Sequence, residues 1–429
     1  LAQGVCRSPR GAGGPCPHGA RQDSQSIYTF ETPQRRDRWR TLPQGGLKTN
    51  GAGLSPHQAS ENEMFEKTRF YVGGEWVEPV SGVRHALIDP STEEQSGTVL
   101  LGDARDVDRA VASAKAALPM WSETAPAARL AIVERLIELY VGRSDDLGLS
   151  ISLEMGAPID LARGSQVGVG LTNMRGYVAA FREMRLLDRL GAHAPADRIA
   201  LEPIGVVGLV TPWNWPMNQV TLKVVAALLA GCTMVLKPSE IAPLSSMLFA
   251  ELLHDAGVPP GVFNLVNGTG ADVGEALSRH PDIQMISFTG STAAGIAVSK
   301  AAAETLKRVT LELGGKGANL IFADCDEDAV RRSVAHCFLN AGQSCNAPTR
   351  MLVEDAIYDR TVEAARRVAE ATKVDLSSKP GDHIGPVVSE RQFERVQRLI
   401  QAGIDEGARL VAGGPGRPQH LNRGYFVRP

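Results

Sequence analysis

The segment Gly205-Val206-Val207-Gly208-Leu209-Val210-Thr211-Pro212-Trp213-Asn214-Trp215-Pro216 decides the fold. A short apolar run ends in a polar turn. The turn ends in a proline suited to the first position of a helix. The helical pattern then runs over 216–230 and is closed by Gly231. The same alternation repeats along the chain. Apolar runs at 233–236, 262–266, 283–288 and 308–313 read as strands. The stretches 244–256, 270–278 and 292–303 read as helices between them. Strands that are apolar on both faces and separated by helices are parallel strands covered on both sides. The pattern therefore predicts an α/β fold, a doubly wound parallel sheet with right-handed crossovers. Ligands of such sheets bind at the C-terminal ends of the strands.

Toward the N-terminus, Phe70-Tyr71-Val72 followed by Gly73-Gly74 reads as a strand and a turn. Helical spacing follows over 106–119, starting at Asp106 and stopped by Pro119, and over 126–142. In the second helix Leu130, Val133, Leu136, Ile137 and Tyr140 share a face. Residues 1–63 are rich in Gly, Pro, Arg, Ser and Gln and show no period, so they are expected to be disordered. They lack the apolar core of a secretion signal, and Met64 is the expected natural start.

The strand ends carry polar or glycine residues, where a ligand site is expected. They are Thr211 to Asn214, Lys237-Pro238-Ser239-Glu240, Gly268-Thr269-Gly270 with Gly274, and Thr289-Gly290-Ser291. The glycine turn resembles a dinucleotide fingerprint with one residue too many, which is weak on its own. Glu240 is more pointed. A carboxylate after the second strand accepts from ribose hydroxyls and repels a 2′-phosphate. Beside this reading stands a plain solvated loop.

Cys345 lies in the polar loop Gly342-Gln343-Ser344-Cys345-Asn346, after helical spacing over 329–339 that 340–342 interrupts. A thiol there is accessible and open to activation as a nucleophile. Cys232 and Cys337 read as small buried hydrophobes, and Cys325 sits in an acidic loop that raises a thiol pKa. With Cys6 and Cys16 these six cysteines show no metal spacing, so no metal site is expected. They read as reduced thiols of a cytoplasmic protein. Glu312, between two leucines at a strand end, is either paired, tuned for proton transfer or pointing outward.

The 429 residues predict about two or three domains. A net charge of -3 offers no field for a polyanion, so nucleic acid is not an expected partner. No apolar run is long enough to cross a bilayer, so no membrane partner is expected either.

Five motifs together resemble the aldehyde dehydrogenase superfamily. They are Pro212-Trp213-Asn214-Trp215-Pro216, Lys237-Pro238-Ser239-Glu240, Phe288-Thr289-Gly290-Ser291, Leu311-Glu312-Leu313-Gly314-Gly315-Lys316 and Gly342-Gln343-Ser344-Cys345. The resemblance spans about residues 70–429 and implies oxidation of an aldehyde to a carboxylic acid with NAD. It implies Cys345 as nucleophile, the Asn214 amide and the Cys345 N–H as oxyanion donors, and Glu312 as the base that hydrolyses a thioester. It places Lys237 and Glu240 at the adenosine ribose. Gly270, Gly274 and Ser291 would line the phosphates and the nicotinamide side. The other implied cofactor contacts are Thr211, Pro212, Trp213, Ser239, Phe288, Thr289, Gly290, Leu313 and Gly314.

The resemblance also implies an NAD-binding domain from 64–190 and 205–313, an oligomerisation hairpin at 191–204, and a catalytic domain at 314–429. The partner strand of that hairpin would come from beyond residue 429. Family members continue past Pro429, so the catalytic domain is expected to be partial and turnover low. A homo-oligomer, dimer or tetramer, is expected of the complete protein. An NADP-linked semialdehyde dehydrogenase and a truncated or non-catalytic nucleotide-binding relative are the alternatives. Which aldehyde is used is not legible.

Overall fold

The structure is a computed structural model and describes residues 65–429. The expectations for residues 1–63 and for Met64 lie outside the described residues.

The chain opens with five short strands, β1 (Phe65–Lys67), β2 (Phe70–Val72), β3 (Glu75–Val77), β4 (Val83–Ile88) and β5 (Gln95–Leu101). Helices α1 (Ala104–Glu123), α2 (Pro126–Gly142), α3 (Ser144–Met155), α4 (Ile159–Leu161) and α5 (Val167–Glu183) follow. Helix α1 starts earlier than its sequence suggests. Asp103 is the cap, and Asp106 is the third helical residue, whose carboxylate accepts from the Asp103 backbone N–H. Pro119 does not stop it. The proline and Lys115, whose carbonyl loses its partner, are both exposed, so the break in the hydrogen-bond ladder falls on the solvent side of the helix. The buried Trp121 anchors the last turn.

The strand-helix alternation follows as read. It comprises β8 (Val206–Val210), α6 (Pro216–Ala230), β9 (Thr233–Lys237), α7 (Leu244–Asp255), β10 (Phe263–Leu265), α8 (Glu275–Arg279), β11 (Met285–Gly290), α9 (Thr292–Ala303) and β12 (Arg308–Leu313). Pro216 is the first residue of α6, and Gly231 ends it in the left-handed conformation, φ 81°. The sheet order is β12-β11-β8-β9-β10-β2-β3. Its first five strands are parallel, and the β2–β3 hairpin adds antiparallel at the far edge.

Alternate side chains of the central strands enter different cores. Val206, Val210 and Val235 pack with α1, Leu277 and Ala302. Val207, Leu209, Met234 and Leu236 pack with α2, α3, α5, α6 and α7. That alternation is the double winding, seen as the two-residue period of a strand. Strand β12 departs from the expected two-sided burial. It is the edge strand, and Arg308, Thr310 and Glu312 are exposed.

A hairpin of β6 (Leu187–Gly191) and β7 (Ala194–Ala200) stands apart as a two-stranded sheet. Its bounds differ from the expected 191–204. The strand partner of β7 is β6 of the same chain, because the turn at Gly191 brings the two together. Beyond residue 314, β13 (Ala318–Ile321) and β14 (Arg350–Val353) pair in parallel. Helices α10 (Ala329–Phe338) and α11 (Tyr358–Ala371) join them in a small core of Ile321, Val330, Val334 and Ile357. Helix α12 (Glu390–Asp405) is strongly amphipathic and has no buried residue.

Candidate active site

The parallel sheet sets its C-terminal ends side by side, and most of the expected residues stand there. The Thr211 backbone N–H donates to the Lys237 carbonyl at 3.1 Å, which holds the ends of β8 and β9 together. Lys237 is buried, and its ammonium donates to the Pro238 carbonyl at 3.0 Å and to Glu240 at 3.2 Å. Burial lowers the Lys237 pKa, and the Glu240 charge opposes that. Ser239 is buried beside it, and Glu240 is half-buried. Gly270 and Gly274 bound a wide turn that leads into α8. Ser291 caps α9, its hydroxyl accepting from the Ala294 N–H at 3.3 Å.

Register between β11 and β12 pairs Thr289 with Glu312 and Gly290 with Leu313. Leu313 lies against Gly295 of α9, and Gly314 is exposed just past the strand. Phe288 behaves differently from its neighbours. Its ring is buried in the core and lies so close to Gly290 that a Cβ there would come within 2.5 Å. Pro212 and Trp213 are half-buried, and the Trp213 ring packs on the core.

The three catalytic candidates arrive by separate routes. Glu312 comes from the edge strand. Asn214 comes from the loop before α6. Cys345 comes from the loop after α10 and is exposed, whereas Cys232 is buried and Cys325 and Cys337 are half-buried. Burial raises the Cys232 and Cys337 pKa values.

Hydrogen bonds join the Asn214 and Cys345 loops directly. Asn214 Nδ2 donates to the Gln343 carbonyl at 3.0 Å, and Trp215 Nε1 donates to Ser344 Oγ at 2.8 Å. The Gln343 side chain in turn accepts from the Val388 N–H at 2.9 Å. Between α10 and Cys345 the backbone turns left-handed at Asn340, Ala341 and Gly342, with φ of 56°, 54° and 75°. Ala341 bears the cost of that turn, about 1 kcal/mol for a residue with a Cβ.

Several residues at the site carry no motif in the sequence reading. Gln166, buried on the turn before α5, donates to the Asn214 carbonyl at 3.1 Å. Asn340 donates to the same carbonyl at 2.9 Å. Lys223 of α6 donates to Ser287 Oγ at 2.8 Å. Burial lowers the Lys223 pKa to about 8, and the nearby Glu312 charge opposes the shift. A lysine inside the apolar stretch of α6 was the one available signal for it. Two open clefts of about 700 and 810 Å³ lie along α11 and residues 380–384. Cys345, Glu312 and Asn214 line neither, so cleft size does not locate the chemistry.

The chain matches the aldehyde dehydrogenase family over residues 76–429. A 3-succinoylsemialdehyde-pyridine dehydrogenase from Pseudomonas sp is 45% identical over 368 residues, which are 85% of this chain and 76% of that protein. The crystal structure of an aldehyde dehydrogenase from Bartonella henselae is 56% identical, with a TM-score of 0.85, over 85% of this chain and 77% of that one. A mutant of aldehyde dehydrogenase C from Pseudomonas syringae, solved with NAD+ and octanal, is 47% identical. Its TM-score is 0.83, over 89% of this chain and 76% of that one. The sheet order, the cysteine loop and these likenesses have one common account: the chain belongs to the aldehyde dehydrogenase family, whose reaction is the oxidation of an aldehyde to a carboxylic acid.

Proposed function

We propose that the chain is the NAD-linked, hydrolysing kind of aldehyde dehydrogenase, with Cys345 as its nucleophile. The observation that carries the reading is the bond from Asn214 Nδ2 to the Gln343 carbonyl, two residues before Cys345. It sets an amide donor beside the thiol loop and leaves the second Nδ2 proton for an oxyanion.

Residues at the strand ends suit a dinucleotide. Gly270 has no positive φ and no neighbour within 4 Å of where a Cβ would stand. Neither backbone nor packing requires glycine there, whereas a diphosphate lying against the turn does. Thr289 Oγ1 is buried with no protein partner among the described residues, which suits a ligand amide. Lys237 and Glu240 would hold the adenosine ribose, and a carboxylate at 240 favours NAD over NADP by repelling a 2′-phosphate. Gly274, Ser291, Leu313 and Gly314 complete that surface. When bound, NAD supplies the acceptor that oxidises the thiohemiacetal to a thioester.

The chain's own groups do the rest. Cys345 Sγ attacks the aldehyde carbon, and the carbon–oxygen double bond becomes an oxyanion. Asn214 Nδ2 and the Cys345 N–H are the donors we assign to that charge, since donors held in place before the reaction stabilise it without reorganisation. After oxidation, Glu312 removes a proton from water as it attacks the thioester carbon. The acid leaves and the Cys345 thiolate returns.

We assign the cofactor domain to 64–190 and 205–313 and the catalytic domain to 314–429. The hairpin is proposed as a contact between copies in a homo-oligomer. Its side chains Leu187, Leu190 and Ile199 are exposed together with Leu201. A cytoplasmic site of action suits the free cysteines among the described residues, Cys232, Cys325, Cys337 and Cys345.

The test is an NADH burst, followed by absorbance, with excess NAD and a short aliphatic aldehyde. A burst is expected from the native chain and none from Cys345→Ala. Equal bursts from the two would refute Cys345 as nucleophile.

A further inference from the structure

Asn340 is held from several sides in the loop that leads to Cys345. It is 2% exposed, and its backbone is left-handed at the first of three consecutive positions, Asn340, Ala341 and Gly342. Its Nδ2 donates to the Asn214 carbonyl at 2.9 Å and to the Gln343 carbonyl at 3.4 Å. Both acceptors are carbonyl oxygens, so the amide cannot be turned over without setting oxygen against oxygen. Its own carbonyl accepts from Gln343 Nε2 at 3.1 Å. The Gln343 carbonyl also receives Asn214 Nδ2. One buried amide thus ties the backbone of Asn214 to the residue that Asn214's side chain grips.

We propose that Asn340 is a positioning residue, which holds the Asn214 amide and the Cys345 loop in the mutual placement that the oxyanion requires. Asn340 touches no reacting atom and acts through Asn214 and Gln343. The left-handed turn explains why asparagine stands there, since it tolerates that conformation better than other side chains with a donor. The turn alone needs only glycine. The amide is what the tether needs. The proposal rests on Asn214 as the oxyanion donor.

Asn340→Gly keeps the turn and removes the amide. Asn340→Asp keeps the size and removes the donor. Hydrogen–deuterium exchange reads the tether without any turnover. Faster exchange is expected in both variants at residues 214 and 215 as well as at 343–345, segments that are far apart in sequence. The NADH burst should slow by at least about tenfold, since small displacements of a donor cost that much, while the KM for NAD is unchanged. In an Asn214→Ala background, Asn340→Gly should slow the burst no further. Native exchange at residues 214 and 215 in either folded variant would overturn the tether. A further tenfold loss on the Asn214→Ala background would overturn action through Asn214. Should Cys345→Ala retain its burst, the nucleophile reading fails while the exchange result still stands or falls by itself.

Discussion

Glu154 shows how far one buried residue can act on the whole chain. It lies on α3, is fully buried, and accepts from the Leu244 and Ser245 N–H groups and the Ser245 hydroxyl. These are the free donors at the start of α7, so a distant glutamate serves as that helix's cap. The hydrogen bonds favour the carboxylate, but burial outweighs them and raises the pKa from 4.5 to about 7. Below 4.5 the folded and unfolded chains both hold the proton. Between 4.5 and 7 only the folded chain keeps it, so stability falls as pH rises through that window. The loss is on the order of 3 kcal/mol. Glu154→Gln holds no titrating proton. Its melting temperature should therefore fall less than the native chain's between pH 5 and 8 (about the span of the shift). Parallel melting curves across that range would refute the assignment. Nothing local marks Glu154 in the sequence, because its partners are 90 and 91 residues away.

Among the elements, the β6–β7 hairpin and the edge strand β12 were the least legible. Residues 197–202, Asp197-Arg198-Ile199-Ala200-Leu201-Glu202, are all exposed and carry no two-residue polar period, so nothing in them says which strand pairs with which. The turn at Gly191 decided that, and β7 took β6 as its neighbour. A hairpin with exposed leucines and isoleucine on two strands is a surface that a second copy can cover. Ile199→Asp should shift the chain toward smaller species in sedimentation at equal concentration. An unchanged distribution would remove the hairpin from the interface. Strand β12 was read as buried on both faces, yet its place at the sheet edge leaves Glu312 exposed. That exposure is what allows a carboxylate to meet water near the strand ends. By contrast, α6 was legible at both ends because Pro216 and Gly231 act locally, through a fixed φ and a left-handed one.

For the whole molecule, the proposed cofactor surface would be assembled from the ends of five parallel strands, so occupying it should stabilise the fold. A ligand at about a hundredfold its Kd adds about 2.7 kcal/mol to stability. NAD at saturating concentration should raise the melting temperature by several degrees, and NADP at equal concentration should raise it less. Glu240→Gln should narrow that difference, and an equal response to both in the native chain would remove Glu240 as the discriminator. Much of this was present in the sequence. Apolar runs, helix breaks and the turn residues after each strand are local, so they determined the double winding and put Thr211, Lys237, Thr289 and Cys345 at element ends. Tertiary structure alone decided the strand order, with β8 between β11 and β9, and the edge position of β12. It also decided that Gln166, Asn214, Asn340 and Gln343 meet, across separations of up to 129 residues. Periodicity follows from the backbone of each segment by itself, whereas a hydrogen bond between distant loops exists only once packing has fixed where both loops lie.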